Sequence, residues 1–146
     1  MILVSKCLAG YCCRYDGKSN LVPEIKKLVE DGLAVAVCPE QLGGLPTPRV
    51  PSERLGSSVI SRTGTDVTAE FAAGADAALI IARENNCQTA ILKARSPSCG
   101  KGTIYNGRFT GDLIAGNGVT ADLLLRNDIS VITEEEYLHL LRANEA

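Results

Sequence analysis

Six cysteines, at positions 7, 12, 13, 38, 87 and 99, are the residues of this 146-residue chain best suited to chemistry. Cys99 lies in "KARSPSCGKG", residues 93 to 102, among Lys93, Arg95 and Lys101. Cations close to a thiol lower its pKa and offset thiolate charge, and Arg14 and Arg49 extend that set. Cys38 precedes Pro39 in "VCPE". A residue before proline is held extended, so its side chain is aimed by the backbone. No C-x-x-C occurs and the single histidine is His139, which weakens a zinc-finger or dithiol-oxidoreductase reading. Three convergent thiolates would make a soft site suited to an Fe–S cluster, Cu(I) or zinc.

The elements around the cysteines alternate between strand and helix. Ile2 to Ser5 is a short apolar run, read as a strand. Pro23 suits a first helical turn, and Ile25, Leu28 and Val29 form an apolar stripe closed by Gly32. Leu33 to Val37 reads as a strand covered on both faces. Residues 39 to 57, rich in proline and glycine, read as a long loop, and residues 59 to 62 as a small edge strand. Thr68 is the expected cap of a helix reaching about Asn86, with Phe71, Ala75, Ala78, Leu79 and Ala82 facing inward. Thr89 to Leu92 is the next strand, and Asn106-Gly107 signals a hairpin. Thr120 opens a helix through Leu125, Ile129 to Ile132 forms a strand, and Thr133-x-x-Glu136 is a capping box for the last helix.

This alternation predicts a single α/β domain over residues 1 to 146: a mostly parallel, Rossmann-like sheet with helices on both faces. In such sheets the binding crevice lies outside the carboxyl ends of the strands. Cys7, Cys38 and Cys99 each follow a core strand and so fall at that edge. Cys12 and Cys13 share the first loop and read as bystanders, one of which can line the site. Cys87 precedes its strand and falls at the opposite edge.

Composition narrows the class. The apolar fraction of 45% with 22% charged residues is that of an ordinary globular protein. A net charge of −2 gives no argument for nucleic acid or anionic lipid as a partner. No run approaches the ~18 apolar residues of a membrane span. The first seven residues are too short an apolar stretch for a secretory signal. A cytoplasmic location is expected, with the cysteines as thiols.

Four motifs in order, "SKCLAGYCCRYDG", "VCPEQLGGLPTPR", "ILKARSPSCGKGTIYNGRF" and "GNGVTADLLLRN", resemble the thiouracil desulfidase family over nearly the whole chain. The resemblance implies an α/β fold that holds a [4Fe-4S] cluster by three cysteines and leaves one iron without a protein ligand. That iron would take the sulfur of a thiolated base such as 2-thiouracil, giving uracil and hydrosulfide without net redox change. The matching cysteines are Cys7, Cys38 and Cys99. The sequence departs from the pattern at Lys6, where a small residue is expected.

Hydrolysis at the carbon bearing sulfur requires a general base, and Glu40, two residues beyond Cys38, is the candidate. Ser98, beside Cys99, is placed to hold the water or donate to developing charge. Arg14, Arg49, Gly43 and Gly44 are the expected substrate contacts, the glycines because they let backbone approach a ligand. The alternative is a sulfur- or metal-binding carrier module without turnover.

Overall fold

Side chains of a strand alternate between two faces, and Ile2–Ser5 (β1) sends Leu3 into one apolar layer and Val4 into another. In the computed structural model, which describes residues 1–145, β1 is the second strand of a four-stranded parallel sheet. Residue 146, the end of the expected domain, lies outside the described residues. On one side β1 pairs with Ala34–Val37 (β2), on the other with Thr89–Leu92 (β5), which pairs in turn with Ser130–Thr133 (β8). The strand order is β2-β1-β5-β8.

Helices cover both faces, as the alternating pattern predicts. Leu3, Ala90, Leu92 and Val131 meet Thr68–Glu84 (α3) through Ala78 and Ala82, and Val119–Arg126 (α4) through Ala121 and Leu124. On the other face Val4 and Ile91 pack with Ile25 of Pro23–Glu30 (α1) and Tyr137 of Glu134–Glu145 (α5). Burying each such aliphatic side chain contributes ~1.5–3 kcal/mol. The capping box forms: Glu136 N–H donates to Thr133 Oγ1 at 3.1 Å, and Thr133 N–H to Glu136 Oε1 at 3.2 Å.

The other expected caps differ. Val67, not Thr68, is the N-cap of α3, and Thr68 Oγ1 instead accepts from Val59 N–H at 2.9 Å. The helix expected to open at Thr120 begins one residue earlier, at Val119, with Gly118 as its N-cap. The stretch 39 to 57 is also more ordered than its composition suggests. It contains Pro39–Leu42 (α2) and Ser52–Leu55 (β3). β3 pairs antiparallel with Ser58–Ser61 (β4) as a separate ribbon, so β4 is not an edge of the main sheet. A second ribbon joins Thr103–Tyr105 (β6) to Leu113–Ala115 (β7). Asn106-Gly107 begins the connection of residues 106 to 112 rather than making a two-residue hairpin turn. Glu53 Oε1 fixes that longer loop from outside, accepting from Gly107 N–H at 3.1 Å and Phe109 N–H at 3.0 Å.

Gly43 and Gly74 explain why α2 forms where it does. A Cβ on Gly43 would collide with the Glu70 carbonyl, and one on Gly74 with the Pro39 carbonyl. The backbones of α2 and α3 therefore touch directly. Gly74→Ala should lower the free energy of unfolding by ~1–3 kcal/mol in urea titration, outweighing the ~1 kcal/mol that alanine gains in helix propensity. Unchanged stability would show that the helices separate freely.

Candidate active site

Three loops meet at the carboxyl edge of the sheet. Cys7 lies in the 3-10 turn Lys6–Ala9 directly after β1. Cys38 follows β2 as the N-cap residue of α2, in the extended conformation that Pro39 demands. Cys99 is in the turn after β5. All three line one cavity of about 540 Å³, together with Cys13, Glu40 and Ser98. That volume is in the range of small-molecule sites, ~300–1,000 Å³. Cys87 is buried in the core beneath the opposite edge, where burial raises its pKa.

The thiols are not equivalent. Cys13 hydrogen-bonds both Cys7 and Cys38, and this lowers the pKa of each. Cys38 falls to about 6, with the Gln41 amide and Arg49 helping against burial and Glu40. Cys7 is lowered against its own burial, with help from Asn20, whose Nδ2 donates to Sγ at 3.5 Å, and from Lys93. Cys13 moves upward, through its interactions with Cys38 and Cys7 and through burial. Burial pushes Cys99 up to about 12, opposed by hydrogen bonds from Ser5 and Ser98. Ser98 Oγ lies 3.6 Å from Cys99 Sγ.

Glu40 lines the same cavity, and its charge is felt by both Cys38 and Cys99. Its carboxylate pairs with Arg49 at 3.4 Å, and the Arg49 side chain is only 6% exposed. The rest of that guanidinium is committed: Nη1 donates to Thr47 Oγ1 and Nη2 to the Cys13 carbonyl, each at 2.9 Å. Arg14 also lines the cavity, with its nitrogens held by Asp16 at 2.9 Å and Asn20 at 3.0 Å. Ser98 is buried, and its Oγ is 3.2 Å from Ser96 Oγ.

Gly43 and Gly44, the expected glycine contacts, stand apart from the cysteine cavity. Neither lines the cavity, since Gly43 is spent on the contact with α3 and Gly44, at φ +94°, turns the chain at the end of α2. The first turn of α5 pairs with the loop cations, while Lys93 still helps to lower Cys7 as expected. Lys93 pairs with Glu134 at 3.1 Å, Arg95 with Glu135 at 2.9 Å and Lys101 with Glu136 at 3.4 Å. Lys6 lines the cavity and sets its ammonium over the Tyr11 ring at 4.8 Å. Cys12 is exposed.

Sequence reasoning favoured the bystander role for Cys13, yet it is central. The signal was its place five residues before the stretch that includes Lys18 and Asn20, which folds back on Cys7. Asn20 N–H donates to the Cys7 carbonyl at 3.0 Å. Ser5, Asn20 and Phe109 were missed as well, and only Ser5 and Phe109 lie inside or beside a recognised motif.

A family model described as 2-thiouracil desulfurase matches residues 2–136 of the chain. The curated relative "Uncharacterized protein YbbK" of Bacillus subtilis (strain 168) is 45% identical over 151 residues, covering 97% of this chain and 100% of the relative. A solved structure of the [4Fe-4S]-dependent thiouracil desulfidase TudS superposes with a TM-score of 0.90 at 47% identity, covering 99% of this chain and 97% of that one.

The thiol arrangement makes a pH prediction for the reduced, metal-free protein. Cys38 should alkylate as a thiolate with a midpoint near pH 6, because its pKa is lowered to about 6. Cys99, raised to about 12, should stay unreactive at neutral pH. Cys13→Ala removes the largest cause of the Cys38 shift, so the Cys38 midpoint should rise. Peptide-resolved iodoacetamide labelling against pH reads all of these, and a midpoint indifferent to Cys13 would refute its part in the Cys38 shift.

Proposed function

This chain belongs to the 2-thiouracil desulfurase family, and from that premise we propose how its own residues carry the reaction. It is a [4Fe-4S]-dependent desulfidase that removes sulfur hydrolytically from a thiolated nucleobase. The carrying observation is that three adjoining parallel strands deliver Cys7, Cys38 and Cys99 to one cavity, with Glu40 among them. The whole chain acts as one desulfidase domain. Six free cysteines suit a reducing compartment, so we place the activity in the cytoplasm.

The donor set fits a cluster. Thiolates are the ligands of choice for Fe–S centres, and two of these thiols are already biased toward thiolate. Among the described residues, no group of three or more His, Cys, Asp or Glu is close enough to hold a single ion. A cluster takes its thiolates at separate irons, so its ligands stand wider apart. Cys7, Cys38 and Cys99 would hold it, and one iron would have no protein ligand. When bound, the cluster supplies a Lewis-acidic iron that polarises the thiocarbonyl through sulfur.

The chain's residues supply the rest. Glu40 accepts a proton from the water that attacks the carbon bearing sulfur. Arg49 fixes the carboxylate, and its burial keeps that orientation. Ser98 holds the water, from a backbone clamped under α4 by Thr120 N–H donating to Ser98 O at 2.8 Å. Arg14 and Arg49, whose nitrogens are occupied, serve substrate binding by shaping the wall. Water and 2-thiouracil give uracil and hydrogen sulfide, so no electrons are exchanged.

Anaerobic reconstitution with iron and sulfide, followed by a thiouracil assay, tests the reading. Replacing Cys7, Cys38 or Cys99 by alanine should abolish cluster absorbance and turnover together, whereas Cys87→Ala should change neither. A cluster-loaded wild type that binds thiouracil but releases no hydrosulfide would favour a carrier. Glu40→Gln should keep the cluster and slow turnover by about 10²-fold, the scale of a lost general base. Undiminished turnover would remove Glu40 from the mechanism.

A further inference from the structure

We propose that Phe109 is the platform on which the planar ring of the thiolated base stacks, an inference that rests on the desulfidase reading. Phe109 lines the cavity that holds the cysteines, from the loop of residues 106 to 112 between β6 and β7. The chain has two phenylalanines. Phe71 is 1% exposed and belongs to an apolar cluster, whereas Phe109 is half-buried and belongs to none of the clusters among the described residues. Core packing therefore does not account for its position.

The backbone is nevertheless built to put the ring there. Phe109 has φ +57°, a left-handed conformation that bulky residues seldom adopt. Glu53 Oε1 enforces it by accepting from both Gly107 and Phe109 N–H. Gly107 lies so close to Arg54 and Leu55 that a Cβ would press on both. Such strain, over-determined by its surroundings, is characteristic of ligand-holding positions. Arg62, which follows β4, sets its guanidinium 5.3 Å from the ring centroid. Arg62 lines the cavity too, so the base would stack on the ring face that the guanidinium leaves open. A pyrimidine offers that planar π-face, and base–aromatic stacking is tolerant of ring substituents.

The test uses cluster-reconstituted wild type with Phe109→Leu, Phe109→Gly and Phe109→Tyr. KM and kcat are measured with 2-thiouracil, uracil affinity by calorimetry, and cluster content by absorbance. The glycine variant relieves the positive φ, so loss of the ring is separated from loss of strain. Leucine and glycine should raise KM about tenfold or more and weaken uracil binding in parallel, with kcat within about threefold and cluster absorbance unchanged. Tyrosine should behave as wild type. KM and uracil affinity indifferent to both Leu and Gly would overturn stacking while normal turnover leaves the desulfidase reading intact. Loss of cluster without a change in affinity would likewise overturn it, making Phe109 a support of the cluster site. Wild type without turnover but with Phe109-dependent uracil binding would overturn the desulfidase reading alone. Neither turnover nor uracil binding would overturn both.

Discussion

Parallel pairing is the constraint from which the site follows. Antiparallel neighbours would send successive loops to opposite edges, whereas parallel strands need crossovers that return each carboxyl end to the same edge. Here β2, β1 and β5 run in register, with Ser5 opposite Val37 and Val4 opposite Ile91. The chain leaves β1 for β2 on one side and reaches β5 on the other. The loops after β1 and β5 therefore diverge and leave a crevice, as expected where strand order reverses. Cys7 and Cys99 stand on its two sides and Cys38 on the flank.

Gathering thiols beside a carboxylate concentrates negative charge, and the fold meets this mostly with protons and neutral donors. Cys13 is raised while Cys7 and Cys38 are lowered, so the charge of the three thiols is held down by Cys13 staying protonated. Asn20, Ser5 and Ser98 add hydrogen bonds to thiols. The cations of the Cys99 loop are paired with the acidic first turn of α5, while Lys93 and Arg95 also line the cavity. Acids there also suit the positive end of the helix. Glu134 is buried and accepts from Ala94 N–H at 2.7 Å, so these ion pairs act chiefly as clamps on the loop.

Much of this was legible in the sequence because two local signals agree. Strand runs of two to five apolar residues fix where the chain reaches the edge, and a cysteine lies in the loop that follows three of them. The capping box at Thr133 was readable for the same reason, since both partners lie within four residues. What could not be read depends on contacts between distant residues. Gly43 matters because Gly74 faces it, and neither residue betrays the other. Glu53 shapes the 106 to 112 loop from β3, whose sequence reads as part of a long loop. Cys13 counted as a bystander because its role arises from Asn20 and Arg49 drawing its loop over the cavity.

Each cysteine is anchored through a different part of the fold. The Cys7 turn is tied through its carbonyl to Gly10 and Asn20. Cys38 is fixed by the direct contact of α2 with α3, where there is no room for a Cβ. Cys99 is held between α4 and α5: Gly118 abuts the Ser98 backbone, and Glu134 caps Ala94. Three independent anchors on regular elements suit a rigid polymetallic group, which tolerates little movement of its ligands. The wall carrying Phe109 is anchored through Glu53 on the β3–β4 ribbon. The same ribbon also reaches the Cys99 anchor, because Arg54 Nη1 donates to the Asn117 carbonyl at 2.6 Å, beside Gly118, so the substrate wall and the Cys99 loop are braced together.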